Sequence, residues 1–115
     1  MPKTPKYLRP ETAPAAVTQT VARLGANIAA ARINRRWRQQ DLAEKVGVSR
    51  QVIIRIEDGH LGVGIGAYVA TLWAMGLHAD VGTLAGPERD LEGQTLAAAR
   101  LGQRVRHGEG TDDDF

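Results

Sequence analysis

The chain has 115 residues, enough for one small core but not for two domains of ordinary size. With 43% hydrophobic, 24% charged and only 4% aromatic residues, it reads as a globular helical protein. The absence of cysteine excludes disulfides, zinc ribbons and thiol nucleophiles, and the three separate histidines, His60, His78 and His107, form no ligand cluster. No metal and no cofactor is expected. The formal net charge of +2 hides an asymmetry. Residues 1–66 carry eleven Lys or Arg against five acids, and residues 67–115 carry four against eight. A basic module followed by an acidic part suggests a polyanion partner for the first and a protein contact for the second.

Four of the five prolines, Pro2, Pro5, Pro10 and Pro14, fall in the first fourteen residues, so residues 1–15 are expected to form a disordered basic arm. The same segment has no apolar run after its basic residues, which argues against a secretory signal or an anchor, and a cytoplasmic location is expected. From Val17, apolar residues at Val21, Leu24 and Ile28 keep to one helical face, predicting a first helix that ends near Arg36. A second helix is expected over Gln39–Val46, with Leu42 and Val46 inward, Ala43 small enough for close approach, and Gly47 as its stop. Ser49 is a suitable N-cap for a third helix from Arg50 to about Glu57, with Val52, Ile53 and Ile56 inward and Asp58-Gly59 closing it.

Residues 59–79 contain no Lys, Arg, Asp or Glu, but five glycines argue against a membrane span. The spaced glycines Gly62, Gly64 and Gly66 lack the strand and the Lys-Ser/Thr of a nucleotide loop, and read as a connector. A fourth helix is expected from Ala67 to Met75, with Val69, Leu72 and Trp73 in the core. Beyond it, residues 77–84 alternate in the manner of a short strand, which would need a second copy of the chain as partner. Residues 87–115 form a C-terminal extension, partly disordered, helical in composition but interrupted by two glycines. The expected organisation is therefore a basic arm over 1–15, a helical domain over 16–86, and a C-terminal extension over 87–115.

The informative stretch is residues 39–59: two short helices joined by a tight Gly-containing turn. Ala43, Gly47, Val48 and Ile53 stand where such a unit needs a small residue, a turn residue and two core residues. The pattern resembles the Xre and lambdoid-repressor family through Gln39 or Gln40, Asp41-Leu42-Ala43, Gly47-Val48-Ser49 and Glu57-Asp58-Gly59, over about residues 24–77. That resemblance implies an all-α, compact five-helix lambda-repressor-like bundle that binds operator DNA as a homodimer. It places Arg50, Gln51 and Arg55 at base-contacting positions and Gln39, Gln40 and Ser49 at phosphates. It also pairs Arg32 with Glu57 as a structural ion pair. The chemistry agrees: Arg makes bidentate pairs with guanine and Gln with adenine, each worth about 1–3 kcal/mol of discrimination. Arg35, Arg36 and Arg38, around Trp37, look like further phosphate contacts, with Trp37 itself in the core. No Ser-His-Asp or paired-carboxylate arrangement is present, so no enzyme is expected.

Residues 59–106 are similar, more loosely, to the C-terminal half of HipB-like antitoxins, through general order and the Arg100-Leu101-x-x-Arg104-Val105-Arg106 ending. That resemblance implies an antitoxin that restrains a HipA-type kinase toxin while repressing its own operon, with the strand of each copy paired across a dimer two-fold. A free-standing repressor without a toxin, and a protein-interaction adaptor that has abandoned DNA, are the alternatives.

Overall fold

A computed structural model describes residues 8–106 of the chain. The described residues are all α-helical apart from turns: α1 Ala15–Asn34, α2 Gln39–Val46, α3 Arg50–Glu57, α4 Ile65–Ala74 and α5 Leu91–Arg106, with short 3-10 turns at Ala79–Thr83 and Pro87–Arg89. The chain divides into two compact units at Ala79/Asp80. Residues 1–7 of the expected arm lie outside the described residues, as does the acidic end after Arg106, whereas in its described part the Thr12 and Ala13 N–H groups donate to the Arg9 carbonyl at 3.0 and 2.8 Å and Ala15 already belongs to α1.

In the first unit the helices begin and end where local chemistry dictates. Pro14 precedes α1, its ring fixing the φ that leads into a helix. Three helices end alike. After α3, the N–H of His60 donates to the Arg55 carbonyl at 2.9 Å and that of Gly59 to Ile56 at 3.0 Å. After α4, Leu77 donates to Leu72 and Gly76 to Trp73 at 2.8 and 2.9 Å. After α1, Trp37 donates to Arg32 and Arg36 to Ile33 at 3.2 and 2.8 Å. This paired termination needs a left-handed residue at its centre. Gly59 and Gly76 supply it at φ +73° and +75°, whereas α1 uses the non-glycine Arg36 at φ +58°.

The core of the first unit joins Ile28 of α1, Leu42 and Ala43 of α2, Ile53 and Ile56 of α3, and Tyr68, Thr71 and Leu72 of α4, with Met75 just beyond. Helix α3 packs on both α1 and α2, and α4 packs on α2. Complete burial of Ala43 lets α2 and α3 approach closely. Thr71 is buried without penalty because its hydroxyl donates to the Ala67 carbonyl at 2.8 Å. The Tyr68 hydroxyl donates to the His60 carbonyl at 2.8 Å, tying the connector to α4, and burial pushes that phenol above its ordinary pKa.

Two expectations are corrected. Trp73, expected in the core, is 59% exposed. The inward sector of α4 is set by Tyr68, Thr71, Leu72 and Met75, and Trp73 lies about 100° around the helix from Leu72. The strand expected over residues 77–84, and with it the strand pairing across a two-fold, is absent. Ala79–Thr83 instead form a 3-10 turn, in which the Thr83 hydroxyl donates to the Asp80 carbonyl at 2.7 Å.

The second unit is built on α5. Asp90 starts it by accepting from the Gly93 N–H at 3.0 Å, and the Gln94 amide donates to the Pro87 carbonyl at 2.6 Å. Leu91, Leu96 and Leu101 are all more than half exposed.

Candidate nucleic-acid interface

The turn between α2 and α3 is made by Gly47, Val48 and Ser49. Gly47 adopts φ +87° and its N–H donates to the Ala43 carbonyl at 2.8 Å, followed by Val48 to the same carbonyl at 3.1 Å. Ser49 then caps α3, its hydroxyl accepting from the Val52 N–H at 3.3 Å. The result is a short first helix, a reversal without slack, and a second helix locked by Ile53 and Ile56 on its inner side.

With the inner side of α3 fixed, its outer side is fixed as well. At about 100° per residue, Arg50, Gln51, Ile54 and Arg55 share the opposite face. Arg50, Gln51 and Arg55 are exposed, and their side chains have no hydrogen-bond or ion-pair partner among the described residues. Their donors and acceptors are thus available to a ligand. Ile54, half-buried, belongs to the same face; the sequence places it off the buried stripe with Arg50, Gln51 and Arg55 but assigns it no contact. An aliphatic residue flanked by polar ones on the outside of a short helix was the signal.

Behind this face lies a buried carboxylate. Glu57, the last residue of α3, receives Arg32 Nε on Oε2 at 2.6 Å and Arg32 Nη2 on Oε1 at 3.1 Å, and Arg32 Nη1 donates to the Trp37 carbonyl at 2.8 Å. The two side chains are only 13% and 7% exposed. Gln39 Nε2 donates to Glu57 Oε1 at 3.0 Å, so one acid holds α1, the entry to α2 and the end of α3 together. The second Nε2 hydrogen of Gln39 is left to donate elsewhere.

Arg38 and Gln40 sit beside it. Arg32, Arg38, Gln39, Gln40 and Arg50 line an open concavity of about 720 Å3. The Arg38 guanidinium reaches Asp41 at 3.0 Å, and its backbone N–H donates to the same carboxylate at 2.8 Å. Hydrogen bonding to Arg38 holds the Asp41 carboxyl below its ordinary value, and the same contact raises Arg38. Gln40 Nε2 donates to Glu44 at 3.2 Å. Arg36 is exposed at the C-terminus of α1. Arg35 is committed elsewhere, donating to the carbonyls of Ala31 and Met75 at 3.0 and 3.1 Å, which places a cation at the C-terminal ends of α1 and α4. Trp37 is half-buried, with Lys45 Nζ 4.6 Å from its ring centroid.

Among the described residues, no group of His, Asp or Glu could hold a metal ion, and no helix is long and apolar enough to cross a membrane. Comparison with known proteins adds one finding. No curated protein and no solved structure matches the chain. The helix-turn-helix family model matches residues 28–62, which run from the middle of α1 through α2, the turn and α3 into the connector. Residues 28–62 are thus similar to a helix-turn-helix domain of the Xre/Cro/C1 type, a match that implies a lambda-repressor-like fold and suggests DNA binding and transcriptional regulation.

Proposed function

We propose that the chain is a sequence-specific transcriptional repressor that binds an inverted-repeat operator in double-stranded DNA as a homodimer. The observation that carries this reading is the outer face of α3, where Arg50, Gln51 and Arg55 stand free on a helix held rigidly from behind. Arg50 and Gln51 occupy its first turn, the end that enters a major groove, and Arg55 follows more than one turn later. All three read base edges. Gln39, Gln40, Ser49, Arg36 and Arg38 take phosphates, with Gln39 oriented by Glu57. Two copies place their recognition helices about 34 Å apart on successive grooves.

The test is binding of the full chain to oligonucleotides selected from a random pool, followed by salt titration. With six or more phosphates engaged, affinity falls about 10³-fold or more between 50 and 200 mM salt. Arg50→Ala with Gln51→Ala should abolish selection of a sequence while leaving weak binding. A flat salt response, or selection unchanged in the double variant, rejects the reading in favour of the adaptor.

A second reading, the antitoxin, is favoured by α5. A 16-residue helix whose leucines are exposed is short to be stable in water by itself, which suits a segment that binds another protein. In this reading residues 16–86 bind DNA and dimerise, residues 87–115 hold a kinase toxin, and residues 1–15 follow the DNA backbone. Co-expression with the adjoining gene and intact-mass analysis of the purified complex tests it: a stoichiometric kinase-sized partner supports the antitoxin, and this chain alone supports a free-standing repressor.

A further inference from the structure

Helix α4 is unlike its neighbours in carrying no charge. Residues 59–79 contain no Lys, Arg, Asp or Glu, whereas the described part of the first unit, residues 8–79, has nine Lys or Arg against five acids. Beside its buried sector, α4 bears a second apolar stripe. Ile65 is 75% exposed, Val69 half-buried and Trp73 59% exposed, at a spacing of four that keeps them on one side of the helix. At the Ile65 end the surface falls into an apolar groove of about 450 Å3, lined by Val21, Leu24, Leu61, Val63, Ile65 and Tyr68 among others. One end of the stripe is therefore a large projecting indole and the other a hollow.

We propose that this stripe is where a second copy of the chain docks. The two α4 helices run antiparallel about a two-fold axis near Val69, and Trp73 of each copy enters the groove beside Ile65 of the other. The proposal rests on the homodimer reading above and names its surface. Two observations select a second copy over another occupant. Copies of a basic body repel one another except where charge is missing, and α4 is the helix of the first unit from which charge is missing. A two-fold interface also requires that projection and hollow lie on one surface at equal distances from the axis. Ile65 and Trp73 each stand four residues from Val69, roughly 6 Å along the helix. A seated indole is the kind of anchor that dominates such interfaces.

The chain has no cysteine, so Val69→Cys places a single thiol at the axis, and Gln19→Cys on α1 and Leu96→Cys on α5 serve as comparisons. Each variant of the full chain is oxidised mildly and its disulfide-linked dimer followed by non-reducing electrophoresis. Sedimentation of the wild type and of Trp73→Arg is measured alongside, without DNA. Expected are a wild-type dimer, cross-linking of Val69→Cys about tenfold faster than either comparison, and weakening of the dimer by roughly 30-fold or more in Trp73→Arg with its helical circular dichroism unchanged. If Trp73→Arg does not fold, Ile65→Arg takes its place.

A wild type that stays monomeric at about 100 µM overturns the proposal. So does fastest cross-linking through Leu96→Cys, or a dimer indifferent to both arginine variants. The two readings fail separately. A wild type that dimerises through Val69 but does not bind DNA rejects the repressor and leaves this interface standing.

Discussion

Gly25 of α1 and Gly59 beyond α3 bring their two segments together backbone to backbone. A Cβ added at Gly25 would collide with the Ile56 carbonyl and lie 2.8 Å from both the Glu57 oxygen and the Gly59 nitrogen. One added at Gly59 would lie 2.6 Å from the Ala22 Cα. No flexible side chain stands on either side to give way. Gly25→Ala should therefore separate α1 from the end of α3 and destabilise the fold by about 2–3 kcal/mol, read as a lowered urea midpoint.

The same junction carries the Arg32–Glu57 pair. Arg32→Ala strands a carboxylate that is 7% exposed and should destabilise by about 3 kcal/mol, whereas Arg23→Ala on the open side of α1 should stay within about 0.5 kcal/mol. Replacing both partners, as Arg32→Met with Glu57→Leu, should recover much of the loss in chemical denaturation. Failure of the double replacement to improve on Arg32→Ala would show that the Trp37 and Gln39 contacts matter more than the charge.

Arg36 occupies the position that Gly59 and Gly76 fill after α3 and α4. Arg36→Gly should relieve the left-handed strain and stabilise the protein by about 1 kcal/mol, raising Tm by several degrees. If the repressor reading holds, the same change removes a phosphate contact, so stability rises while DNA affinity and its salt dependence fall. A variant that is both more stable and binds DNA unchanged removes Arg36 from the interface.

Asp41 gives an acid-side signature. Its carboxyl is held below the ordinary value by Arg38, so its contribution is fully present above about pH 4 and disappears as pH falls through the lower folded value. Thermal melts of wild type and Asp41→Asn should differ near neutrality and converge once pH falls below that lowered value. Because Asp41 is also the partner of Arg38, Asp41→Asn should free that guanidinium and strengthen DNA binding at low salt.

Ile54 tests the outer face of α3. An aliphatic group between Gln51 and Arg55 suits the methyl group of a thymine, and Ile54→Ala should reduce preference for one A·T pair by about 1 kcal/mol in competition binding. Stability falls as well, since Ile54 is half-buried, so the comparison is between sequences rather than between proteins.

The parts of the fold legible in the sequence are those with local causes. The residues that open and close α2 and α3 lie within a few positions of what they cap, and the helices run over Gln39–Val46 and Arg50–Glu57 as Gly47, Ser49 and Gly59 imply. Trp73 shows the limit: apolar character announces that a residue avoids water, while the angle around the helix decides what covers it. Gly25 was silent because its reason lies in α3, more than thirty residues away. Residues 77–84 alternate like a strand but have no neighbouring strand to donate to, so local turns took their hydrogen bonds. The interior glycines of α5 weighed against a helix, and Asp90, whose carboxylate anchors its first turn, was passed over. At the interface, exposure of Arg50, Gln51 and Arg55 follows from helical periodicity, whereas the link from Gln39 to Glu57 joins residues that only the folded chain brings together.

The side chains of Arg50, Gln51 and Arg55 bond to no other described side chain, and the residues that hold α3 in place are on its other side. What the helix presents is therefore exchangeable without disturbing what supports it. Substitution at these three positions is close to free in stability, so a library randomised there should fold almost throughout.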